Sequence, residues 1–225
     1  MKKFAAIAAA ALLPVLILSG CLNYEQKATL NADGSGEMEI HYWTKEDNVQ
    51  WMGNDNFSFQ ESEIKNRYTN SGVEVEKVTV DLDVKDSTRH VRLEVSFKDI
   101  NKLSETAAFK NATFSFKPEG DKLVFKQTIK GSNNANGMGM EEFKFVYSYT
   151  MPGEVVASNA TKVDGSTLTW QYSLPELSKD VMLTATVSTG SGFDITWVLT
   201  IAGLVLFLGV IVALLIRRKK PAPTV

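Results

Sequence analysis

The sequence predicts an α+β fold: a curved antiparallel sheet of about eight to ten strands, two helices packed on one face, and a C-terminal transmembrane helix. Three observations carry this. Segment after segment from residue 24 to 188 alternates apolar and polar residues with period two, as a half-buried strand does. Two stretches with helix start signals, opening at Ser58 and Asp99, lie between strand pairs. Residues 195–216 then run without a charge.

The N-terminus sets the compartment. Met1-Lys2-Lys3 is a basic start, Ala5 to Leu18 is an apolar run interrupted by Pro14, and Leu18-Ser19-Gly20-Cys21 places two small residues before the only cysteine. This leader resembles a bacterial lipoprotein signal. The resemblance implies cleavage before Cys21 and acylation of that residue, with palmitate-type chains inserted in the membrane.

At the other end, the 22 uncharged residues 195–216 form a helix of about 33 Å, enough for a hydrocarbon core of about 30 Å. Arg217-Arg218-Lys219-Lys220 follow directly and mark the cytoplasmic side. The expected organisation is a signal peptide (1–20), an extracytoplasmic domain (21–190), a linker (191–194), a membrane span (195–216) and a basic cytoplasmic tail (217–225). The chain is thus expected at the cytoplasmic membrane, lipid-anchored and single-pass, with its main domain outside.

Charge separates the parts. Of 24 Lys and Arg, six lie in the leader and tail, while all 26 Asp and Glu lie in 22–194, which leaves that region at −8. An acidic domain excludes nucleic acid as a partner. With one cysteine at the anchor there is no disulfide, so packing alone must hold the domain.

The elements follow in order. Tyr24–Asn31 and Glu37–Trp43 form a hairpin about the turn Asp33-Gly34-Ser35-Gly36. Ser58 with Glu61 makes a capping box for a helix running to Asn70 and ending at Gly72. Residues 73–85 alternate, but Val73 and Val75 are out of phase with Val78, Val80, Leu82 and Val84, so a bulge is expected at Glu76-Lys77. After a turn at Asp86-Ser87-Thr88, Val91, Leu93, Val95 and Phe97 alternate with polar residues. Asp99 caps a second helix to Phe109. Strands at 113–117, 122–130, 142–150, 154–159, 166–173 and 181–188 complete the sheet. Residues 131–140 (GSNNANGMGM) form a loop carrying Met138 and Met140.

The alternation puts Phe114, Phe116, Phe125, Phe143, Phe145, Tyr147, Tyr149, Trp170 and Tyr172 on one face. Two readings fit equally: a filled core, or a hollow that holds an acyl chain and is lined by Phe114, Phe125, Phe143, Phe145, Tyr147 and Trp170. Catalysis finds no support. His41 and His90 occupy polar phases and read as solvated. No nucleophile elbow, zinc-protease or phosphate-loop pattern occurs. Glu74, Glu76, Asp81, Asp83 and Asp86 follow strand alternation rather than a calcium loop, so no metal or cofactor is expected. Trp43, Trp51 and Met52 are apolar residues in a polar stretch, serving as core cover or as a contact for lipid or a partner.

Taken together, Cys21, the run Thr29-Leu30-Asn31-Ala32-Asp33-Gly34-Ser35-Gly36, the run Met151-Pro152-Gly153-Glu154-Val155-Val156, Asp164-Gly165 and Thr169-Trp170 resemble LppM-type lipoproteins. The resemblance implies an extracytoplasmic α+β domain and, for one branch, association with envelope glycolipids; it transfers no binding residue. The expected function is a non-enzymatic, membrane-anchored envelope lipoprotein that binds a lipid or other amphiphile. The alternative is a structural or protein-interaction module of the envelope with a solid core.

Overall fold

The computed structural model describes residues 22–52, 57–131 and 143–188. Cys21, Met138, Met140 and the apolar run 195–216 lie outside them. Among the described residues no helix is long and apolar enough to cross a membrane.

Eleven strands are present among the described residues: β1 (Asn23–Leu30), β2 (Gly36–Lys45), β3 (Val73–Asp83), β4 (Thr88–Phe97), β5 (Ala112–Glu119), β6 (Lys122–Ile129), β7 (Lys144–Thr150), β8 (Glu154–Ser158), β9 (Lys162–Asp164), β10 (Thr167–Ser173) and β11 (Val181–Ser188). All but β9 fall on segments that alternate in sequence; β9 has three residues and is too short to display a period. The phase change in β3 is a register shift between Val75 and Lys77 against β4, where the sequence places a bulge.

The helices are shorter than expected. α1 covers Val49–Met52, and α2 covers Glu61–Tyr68, burying its two apolar residues Ile64 and Tyr68. Ser58 is not the cap of α2; its hydroxyl donates to Glu63 at 2.7 Å while the Gln60 amide donates back to it. The second helix is a 3-10 helix of six residues, Ile100–Glu105. Its start is as expected, with the Asp99 carboxylate accepting from the Asn101 amide at 2.9 Å. A 3-10 helix rarely extends beyond a few residues because its hydrogen bonds align poorly.

The α+β fold class is therefore overturned. The domain is mostly β, built of a seven-stranded sheet ordered β3-β4-β2-β1-β7-β10-β9 and a four-stranded sheet ordered β5-β6-β11-β8. Nor is the pairing wholly antiparallel, since β1 runs parallel to β7, with Tyr24 beside Phe145 and Thr29 beside Thr150. Period two identifies which face of a strand is buried but not which strand lies beside it, and two short helices cannot cover so wide a sheet. The second sheet covers what they leave.

The core lies between the sheets. Tyr149 of β7 packs on Phe125 of β6 with centroids 4.6 Å apart, and Trp170 of β10 meets both rings. Toward the start of β1, Tyr24 and Tyr42 are capped instead by Phe57 and Phe59, and the Tyr42 hydroxyl donates to the Ser58 carbonyl. Two glutamines break the apolar interior, Gln26 and Gln127, each 1% exposed. One hydroxyl satisfies both: Tyr149 donates to Gln127 at 2.8 Å and accepts from Gln26 at 2.6 Å, while Tyr24 donates to Gln26 at 2.9 Å. Burial pushes the Tyr24 and Tyr149 phenols well above their usual range, so both remain donors at any working pH.

Tyr149→Phe keeps the ring and orphans two buried amides. A stranded buried polar group costs about 1–3 kcal/mol, so this variant is expected to lose about 2–4 kcal/mol in denaturant unfolding. A loss below about 0.5 kcal/mol would show that the bridge contributes nothing to stability.

Candidate functional site

The six rings expected to line a hollow are all interior. Phe114, Phe125, Phe143, Phe145, Tyr147 and Trp170 are each 8% exposed or less. They are held by other rings: Phe114 by Phe109 at 5.4 Å, Phe145 and Tyr147 by Tyr24 at 6.1 and 5.6 Å. The Trp170 indole donates to Asn159 at 2.8 Å, which fixes its rotamer. Of the six, Phe125 and Trp170 also meet each other, with centroids 6.3 Å apart.

An open concavity lies over the polar outer face of the seven-stranded sheet. Strand register dictates its chemistry. Pairing of β1, β2, β4 and β3 sets Lys27, Glu39, Glu94 and Lys77 in one row across four strands. The next row is Glu25, His41, Arg92 and Thr79, and the one beyond is Asn23, Trp43, His90 and Asp81. Glu39 directly opposes Glu94, a destabilising juxtaposition that the lysines at the ends of the row offset. Lys77 approaches Glu94 to 3.5 Å and Arg92 pairs with Asp81 at 2.7 Å. A depression of about 330 Å³ lies over the first two rows. A second, of about 490 Å³, shares Lys27, Glu39 and Glu94 with it and continues toward Thr29, Glu37, Ser148 and Thr150.

Trp43, His41 and His90 border this groove as a stack. The His41 ring lies 4.4 Å from Trp43 at 25°, and His90 lies 5.2 Å from His41 and 5.8 Å from Trp43. His41 Nε2 and His90 Nδ1 are 2.9 Å apart, and His90 Nε2 is 2.8 Å from the Thr88 hydroxyl, which donates to Asp86. The histidines expected to be solvated are thus half-buried and joined. Alternation placed both on one face; their contact is a diagonal across β2 and β4 and needs the register, which no single strand displays. Thr88 is no nucleophile in this chain of bonds, being 6% exposed and committed to the Asp86 turn.

The acidic residues are engaged locally. Asp83 accepts from the Lys85 amide, Asp86 from Thr88, Asp81 from Arg92 and Glu76 from Ser96. Among the described residues no group of three or more potential ligands is arranged to hold a metal. The arrangement can offer hydroxyl-rich ligands both carboxylate acceptors and cationic donors, with aromatic faces alongside.

A protein-family model described as the LppM domain matches residues 24–189. Among solved structures, the folded domain of Mycobacterium tuberculosis LppM, determined by NMR, is similar at 14% identity and a TM-score of 0.43, over 74% of this chain and 89% of that one. No curated protein matches the chain.

The imidazole contact makes the stack sensitive to acid. Only one proton can sit between His41 Nε2 and His90 Nδ1. Burial first, then the Arg92 and His90 charges, lower the His41 pKa from 6.5 to about 4. Between those values the unfolded chain binds more protons than the folded one, so stability from this source is complete above pH 6.5 and falls as pH drops toward 4. Asp86, held down by the Thr88 hydroxyl, and Glu46, held down by Arg89, weaken the fold only at lower pH, as their carboxylates take up protons. Denaturant midpoints measured from pH 7 to 4.5 are expected to decline, and His41→Gln should flatten the decline. An unchanged slope in that variant would remove His41 as its source.

Proposed function

The chain belongs to the LppM domain family, and from that premise we propose that it is a membrane-anchored envelope lipoprotein whose extracytoplasmic domain binds the polar part of a lipid or other amphiphile. Acyl chains on Cys21 and the apolar run 195–216 hold it at the cytoplasmic membrane. It acts by binding rather than by catalysis. The observation that carries this reading is the groove over Lys27, Glu39, His41, Arg92 and Glu94, bordered by the Trp43 stack. Carboxylates and cations side by side on neighbouring strands supply acceptors and donors for a head group rich in hydroxyls, and a hydrogen bond to a charged group is about twice as strong as a neutral one. The ligand's polar end is assigned to the outer face because that groove is open, whereas the six rings of the inner face are buried.

Burial of those rings supports a second reading, an interaction module of the envelope with a solid core. A domain with a solid interior offers partners only its surfaces, and this one carries a net charge of −8 over residues 22–194.

Native mass spectrometry of the full chain, purified from envelopes in mild detergent, separates the two. A discrete added mass lost on denaturation is expected. Arg92→Ala or Lys27→Ala should reduce its occupancy several-fold, and Phe145→Leu should leave it. Loss in Phe145→Leu with Arg92→Ala unaffected would move the ligand between the sheets. A bare chain in every preparation would favour the interaction module, with in-cell cross-linking to identify its partner.

A further inference from the structure

The free edge of a sheet is a row of unpaired N–H and C=O groups, and folds close such edges by specific means. Among the described residues, three of the four edges are covered, short or broken. Along β5, the 3-10 helix Ile100–Glu105 supplies side chains in place of a strand: Asn101 accepts from the Phe116 amide and donates to the Phe116 carbonyl, and Ser104 accepts from the Phe114 amide. β9 ends the seven-stranded sheet with only three residues. β8 has five residues and is broken by a register shift against β11.

β3 is different. It is 11 residues long, ends its sheet, and contains no proline. Among the described residues only its first residue is paired outward, through a bridge from Asn70 to Val73. Its inward side chains are incompletely covered: Val75, Val78 and Val80 are half-buried, Leu82 is 42% exposed, and Val84 just beyond is 78% exposed. Its outward side chains and the bulge include Glu74, Glu76, Asp81 and Asp83 with one lysine, Lys77, a net charge of −3. A second copy of β3 is a poor occupant, because either strand direction sets four carboxylates beside four others.

We propose that the β3 edge, from Glu74 to Asp83, docks an extended basic segment of a partner protein by strand addition. The segment's backbone pairs with the open edge. Its alternate apolar residues cover Val78, Val80 and Leu82, and its lysines or arginines face Glu74 and Asp83. This rests on the interaction reading above and names the chemistry of the partner.

The test is fluorescence anisotropy of a labelled nine-residue peptide alternating valine and lysine, titrated with the full chain in nanodiscs of neutral lipid, with empty nanodiscs subtracted. Saturable binding is expected. Methylating alternate peptide amides should abolish it, since those donors make the ladder. Glu74→Lys with Asp83→Lys, both on exposed positions, should weaken it about two- to fivefold per charge. No binding at millimolar peptide, or equal binding of the methylated peptide, would overturn the proposal. So would cross-links from cells that map a protein partner to another face, an outcome that leaves the interaction reading itself standing.

Discussion

A β-sandwich must satisfy any polar group caught between its sheets, and here one phenol does so for two. Tyr149 lies on β7, Gln26 on the neighbouring β1 and Gln127 on β6 of the opposite sheet, so its hydroxyl ties three strands of both layers at one point. A hydroxyl can donate once and accept from another group, which leaves Tyr149 no spare donor. This fixes more than energy. The glutamines can meet Tyr149 only when β1 lies beside β7 in the observed register and the four-stranded sheet sits over both. Slipping β1 by one residue against β7 would turn Gln26 to the outer face, and shifting one sheet over the other would part Gln127 from Tyr149.

Phe125, Tyr149 and Trp170 pack on one another between the sheets, while the groove lies on the outer face. Register makes that face chemically uneven. Opposed Glu39 and Glu94, flanked by lysines, and the joined imidazoles of His41 and His90 are arrangements that stability alone would not select. Such locally unfavourable placements are where a natural sequence departs from foldability for another purpose.

Strand positions were legible because each strand has one dry face and one wet face. Even the bulge in β3 was readable, as Val75 and Val78 are an odd number of residues apart yet both turn inward. The second sheet was not, because Phe114, Phe125 and Phe145 alternate identically whether they line one sheet or two. The parallel pairing of β1 with β7 likewise leaves no trace in either strand. For the groove, the residue types were visible but not their rows: Lys27, Glu39, Glu94 and Lys77 are far apart in sequence and adjacent only through three register relations. The helices were overcalled because a capping residue signals where a helix begins and says little about how far it runs; Asp99 caps a turn of six residues.

The central position of β1 has a kinetic consequence. The strand nearest the N-terminus occupies the middle of the seven-stranded sheet, and Gln26 meets Tyr149 across a sequence separation of 123 residues. During N-to-C synthesis, β1 and β2 can form their hairpin early, but the far side of β1 stays unpaired until β7 has emerged. Non-local pairings of this kind raise contact order and slow folding. The nascent hairpin therefore waits with Tyr24, Ala28 and Leu30 uncovered, an aggregation hazard that lasts until β7 is made.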